Sequence, residues 1–117
     1  MPSSIAECYS QIRQYQELSK NISSIITKIN SCEDNFKKLD ETLYDNYNIN
    51  GNTTPVYDRL SELDKEASKT SNYLNNTIIP AINSAISDLY RRIAELEAEA
   101  AAAAEAEAKA KAEAQGN

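Results

Sequence analysis

The sequence predicts an all-α protein, an antiparallel two-helix hairpin of coiled-coil character. Three observations predict it. The 117 residues include only two glycines and three prolines, so little interrupts helix. Residues 3–43 contain neither, and their apolar side chains return every seven positions. A second periodic run begins after Thr54-Pro55. The expected boundaries are helices over about 3–44 and 55–112, a kink near Pro80 and an open interhelical loop over about 45–54. Residues 1–97 are expected to form the hairpin domain, and 98–117 an Ala/Glu-rich solvated helical tail.

The first helix carries a heptad. Cys8, Tyr15, Ile22, Ile29, Phe36 and Leu43 form one column, the a positions. Leu18, Ile25, Cys32 and Leu39 form the d column, which Ser4 and Gln11 leave open at the N-terminal end. Ile5, Ile12 and Ile26 widen the stripe at e. Such a pattern marks a coiled-coil seam, and a helix of about 40 residues runs ~60 Å. It needs a partner along its whole length. The stripe is wider than one neighbour covers, so Ile5, Ile12, Tyr15, Ile22, Ile26 and Ile29 are the residues expected to meet a third or fourth helix from another chain.

Thr54-Pro55 starts the second helix as an N-cap followed by proline at the first helical position, where a missing N–H costs nothing. Asp58 then lies in the first turn, favoured by the helix dipole. From Leu60 to Leu96 the apolar spacing averages close to the α-helical period, but Leu74, Ile78, Ile82 and Ile86 follow one another in steps of four, a stutter. Pro80 lies inside that stutter and predicts a kink near residues 76–80, as a bend rather than a break. Beyond residue 94 alanine and glutamate dominate. Glu105→Lys109 and Glu107→Lys111 have the helpful i, i+4 order, but no apolar face remains to dock.

Composition narrows the function. With 41% hydrophobic and 26% charged residues the chain is not of disordered type. A net charge of −6 disfavours nucleic acid and anionic membrane surfaces, which call for a basic face. No run of apolar residues is long enough to span a bilayer. "MPSSIAECYSQIRQ" has no basic start followed by an apolar run, so no secretory signal is read there. The expected location is the cytoplasm, with export by a route that uses no cleaved signal left open. Cys8 and Cys32 are 24 positions apart on one helix, ~36 Å at ~1.5 Å per residue, too far to pair, and read as small apolar packing residues. The Asn21, Asn52 and Asn75 sequons mean little without a secretory context.

An enzyme is not expected. There is no histidine, no glycine-rich phosphate loop and no CxxC, and the acids scatter over polar faces. Glu33 and Asp40 at the seam's edge are too few for a carboxylate metal site. No catalytic, cofactor or metal-binding residue is therefore assigned.

The interhelical segment carries a resemblance. It reads Tyr47-Asn-Ile-Asn-Gly51, and the hairpin resembles the WXG-motif superfamily of type VII secretion in Gram-positive bacteria, which places Trp-x-Gly in its turn. This chain has no Trp, and its aromatic precedes the glycine by four rather than two. It more closely resembles the small α-helical accessory proteins encoded beside LXG toxins, in which an Asp after an aromatic follows the turn glycine by seven. Gly51-Asn-Thr-Thr-Pro-Val-Tyr57-Asp58 has that form, followed by the polar "DKEASKTSNYL" and the amphipathic "AINSAISDLYRRIAEL". The likeness covers about residues 1–97.

The resemblance implies a job: an adaptor or targeting chaperone that binds the helical N-terminal domain of an LXG toxin, alongside a second small helical accessory protein, and helps present it to the secretion machinery. It also implies a candidate export signal of the form Tyr/Phe-x-x-x-Asp/Glu. Phe36-Lys-Lys-Leu-Asp40 fits, although Phe36 equally fills an a position of the seam. The competing expectation, drawn from the heptad alone, is a self-assembling structural coiled coil.

Overall fold

The computed structural model describes the backbone over residues 1–47 and 55–116, and the side chains of those residues other than 40, 43–47 and 55–57. The fold is an all-α helical hairpin, with no strand among the described residues. Helix α1 spans Ile5–Tyr47. The second arm comprises α2 (Pro55–Tyr73), a π-helical turn (Leu74–Ile78) and α3 (Ile79–Gly116). The expected helices at 3–44 and 55–112 are present, each ending a few residues later than the periodicity suggested.

Helix α1 starts on a capping arrangement. The Ser4 hydroxyl oxygen accepts the Glu7 N–H at 3.1 Å, and the Glu7 carboxylate accepts the Ser3 N–H at 3.2 Å. One amide donor left over by the helical ladder, that of Glu7, is thereby satisfied, together with the N–H of the residue before the cap. The first backbone rung follows, from Cys8 N–H to Ser4 C=O at 3.1 Å.

Contacts divide the chain into two units, Met1–Glu17 with Ile82–Asn117, and Leu18–Ala81. In the first, Cys8 and Ile12 of α1 close on Leu89 and Ile93 of α3, with Ile5, Tyr15, Ile86 and Leu96 packed against them. Pro2 meets Arg92, whereas Tyr15 shares a wall with Ala85, so the two pieces run antiparallel. In the second unit Asn30 meets Ser71 and Glu33 meets Ser68, again in antiparallel order.

The heptad seam is not the a/d seam that the spacing suggested. Ile12, an e residue, is 2% exposed, and Cys8 and Ile22, both a residues, are 0% and 7% exposed. The d residues Leu18, Ile25 and Leu39 remain 45%, 47% and 45% exposed, and Cys32 is exposed with them. Where the chain begins, d is occupied by Ser4 and Gln11 and e by Ile5 and Ile12, so apolar burial selects a with e. In the second unit the b residue Asn30 and the e residue Glu33 make the hydrogen bonds to the second arm, on the side of α1 away from d. Cys8 is thus the small packing residue expected, and Cys32 is not.

The stutter and Pro80 have one structural answer. Three steps of four exceed the α-helical period by roughly one residue in total. The π-helical turn Leu74–Ile78 takes up that residue, and the Ile79 N–H bonds back five positions to the Leu74 carbonyl. Tyr73 (φ −62°, ψ −46°) and Ile79 (φ −60°, ψ −46°) flank it with ordinary helical backbone, so the helix is not broken. Pro80 lacks the N–H that a regular helix would direct at the carbonyl of residue 76, and a widened turn before it relieves the clash of the ring with that carbonyl.

Candidate partner-binding face

The site is built from α1 alone. Its a and e columns serve the chain's own packing. Its d column places Leu18, Ile25, Cys32 and Leu39 in a line on exposed surface. Isolated exposed leucines are ordinary, whereas a column of four at exact heptad spacing is a seam without a neighbour. At ~1.5 Å per residue the column is ~32 Å long.

Of the residues expected to meet a partner, Ile12 and Ile22 are buried, and Ile5, Tyr15, Ile26 and Ile29 are half-buried. Ile5, Ile12 and Tyr15 belong to the core shared with α3. The chain's own packing therefore takes up this stripe, and the uncovered one lies beside it. Phe36 is half-buried, while the Asp40 side chain lies outside the described residues. Of the turn motif, Tyr47 ends α1 and Tyr57 lies in α2 with both side chains outside the description, Gly51 and Thr54 lie outside it altogether, and Asp58 is exposed in the first turn of α2.

Two features escaped the periodicity argument. In the second unit the seam is partly polar. The Ser68 hydroxyl donates to the Glu33 carboxylate at 2.9 Å, and the Ser71 hydroxyl, in a residue 9% exposed, donates to the Asn30 side-chain oxygen at 3.2 Å. Serines at 68 and 71 interrupt the apolar run from Ala67 to Leu74, and that interruption was the available signal. In the first unit Arg92 donates from Nε to the Pro2 carbonyl at 3.0 Å while its Nη1 lies 3.2 Å from Glu95 and 3.8 Å from Glu99. The cap was legible too, as Ser4-x-x-Glu7.

The first unit also holds an open depression of about 530 Å³ lined by Met1, Pro2, Tyr15 and Leu89 together with the carboxylate residues Glu7 and Asp88. Glu7 is engaged in the cap and Asp88 pairs with Arg91 at 3.2 Å. Among the described residues no group of His, Cys, Asp and Glu could hold a metal ion, and no helix is long and apolar enough to cross a membrane.

Compared with known protein families, characterised proteins and solved structures, the chain matches none. What the fold defines is an all-α helical hairpin that leaves one apolar column of its longest helix uncovered.

Proposed function

We propose that this protein is a non-enzymatic adaptor, a targeting chaperone that binds the helical N-terminal domain of an LXG-type toxin and helps recruit it to a type VII secretion system. The observation that carries the reading is the uncovered d column of α1, with Leu18, Ile25 and Leu39 each nearly half exposed. A helical hairpin that completes its own core and still presents a heptad column suits side-by-side association with another helical domain. The turn pattern Gly51…Tyr57-Asp58 supports the choice of LXG partner. The adaptor meets its cargo in the cytoplasm and leaves with it or remains behind.

Co-expression with an LXG-type protein of the same genome tests this reading. The expected result is co-elution as one complex, and loss of toxin secretion when the adaptor is deleted. Separate elution together with unchanged secretion overturns it. A self-assembling coiled coil would instead give a tight homo-oligomer at sedimentation equilibrium and ignore the toxin.

A further inference from the structure

Between Leu18 and Leu39 the rim of the uncovered column is positive, and Glu17, in the same helical column as Lys38, places a carboxylate just before its N-terminal end. Over that span the outer flank of the column carries Asn21, Lys28 and Asn35, and the next column round carries Ser24, Ser31 and Lys38. That span holds only two acids, Glu33 and Asp34. Glu33 is on the inward e column, bonded to Ser68. Asp34, at f, lies ~160° round the helix from d, given ~100° per residue. Lys28 and Lys38 are exposed, and neither joins an ion pair among the described residues. The chain as a whole carries −6, so this positive rim is a local departure.

We propose that the Leu18–Ile25–Cys32–Leu39 column is the docking line for a single helix of a partner protein, apolar along its own heptad column and acidic on the flank that faces Lys28 and Lys38. The proposal rests on the adaptor reading and names the face it uses. A second copy of this chain is the poorer occupant. Laid antiparallel on this column, whose midpoint falls between residues 28 and 29, it sets Lys28 beside its own symmetry mate. Glutamates or aspartates at the facing positions neutralise both lysines, and opposite charge at a rim selects partner and orientation.

Two synthetic four-heptad helical peptides probe the face. They share one Leu/Ile column; one carries Glu on its flank and the other Lys. Titrated against the full chain, the Glu peptide binds at least roughly ten-fold more tightly, and its advantage shrinks with added salt. Ile25→Asp abolishes this binding while leaving thermal melting unchanged, since Ile25 is half exposed. The doubly substituted Lys28→Glu, Lys38→Glu chain reverses the preference. Equal binding of the two peptides overturns the proposal, as does binding that survives Ile25→Asp. So does a wild-type dimer that Ile25→Asp dissociates, because that outcome assigns the column to a second copy. An LXG domain that binds wild type and Ile25→Asp alike sinks the docking line and leaves the adaptor reading standing. One that binds neither sinks the adaptor reading, and the peptide titration still decides the face.

Discussion

The Nε–H of Arg92 donates to the carbonyl oxygen of Pro2 across 3.0 Å, joining positions ninety apart in the chain. The same guanidinium reaches Glu95 and Glu99, both well exposed. One side chain thus holds the segment ahead of α1 onto α3. Arg92→Ala is expected to cost about 1–2 kcal/mol in urea unfolding. Most of that comes from the charge-assisted bond to the carbonyl, because exposed ion pairs add little. Arg92→Lys should recover less than half, since an ammonium does not reproduce the planar fork. Equal stability of all three proteins would remove the clamp from the account.

The inward face of α1 is a with e, and truncations separate it from d. Ile12→Ala should lose about 2–4 kcal/mol, as expected for a buried isoleucine in a packed cluster. Ile25→Ala should lose at most about 1 kcal/mol, because its side chain is half in water already. Aspartate sharpens the contrast. Ile22→Asp buries an unpaired charge and should abolish cooperative melting, whereas Ile25→Asp should melt like wild type. Matching losses at 12 and 25 would return the seam to a/d.

Asn30–Ser71 and Glu33–Ser68 give the second unit a polar seam. Hydrogen bonds of this kind hold one register, because sliding α2 by a turn leaves both hydroxyls and their acceptors unmatched. A double-mutant cycle on Glu33→Gln and Ser68→Ala should give a coupling energy of about 0.5–1.5 kcal/mol. Zero coupling would mean that the contact contributes nothing to the pairing.

The π-helical turn and Pro80 are coupled through backbone geometry. Deleting Asn76 shortens the first step of the stutter, Leu74 to Ile78, to three and restores an α-helical average. With Pro80 retained, the ring then falls in a regular helix, at a cost of about 3 kcal/mol. In a Pro80→Ala background the same deletion should be far milder. Thermal melting of the two single changes and the double change checks it, and simple additivity would count against the π turn as the accommodation of the proline.

Residues 97–116 are helical and exposed throughout, and Lys111 pairs with Glu107 at 3.4 Å along the surface. Truncation after Glu99 should therefore leave the unfolding free energy from urea titration within about 0.5 kcal/mol of the full chain, because no apolar surface is lost. Helical ellipticity should fall in proportion to the residues removed. A large drop in midpoint would show that the tail packs on something.

Much of this fold was legible before any coordinates. The absence of Gly and Pro from residues 3–43, the period of seven in α1 and Thr54-Pro55 together predicted two helical arms and nearly their limits. The stutter and Pro80 predicted an irregularity near residues 76–80, and the π turn lies at Leu74–Ile78, overlapping that stretch. The Ser4-x-x-Glu7 spacing of the cap stands in the sequence as well. Helix is a local property: its signals are spacing, caps and breakers within a few turns, and the sequence carries all three.

Which face of α1 turns inward is a different kind of question. Columns a, d and e are all apolar enough to pack, and a one-dimensional pattern ranks them only weakly. The tertiary structure decided between them, through the isoleucines at 5 and 12 that meet Leu89 and Ile93 on α3 and the bonds of Asn30 and Glu33 to Ser71 and Ser68. It also decided that Leu18, Ile25, Cys32 and Leu39 stay in water, and that Arg92 finds a carbonyl ninety residues away. By itself the sequence determined that this chain is helical and where its helices run. Only the packing of one arm on the other, which joins residues distant in the chain, decided which apolar column was left uncovered.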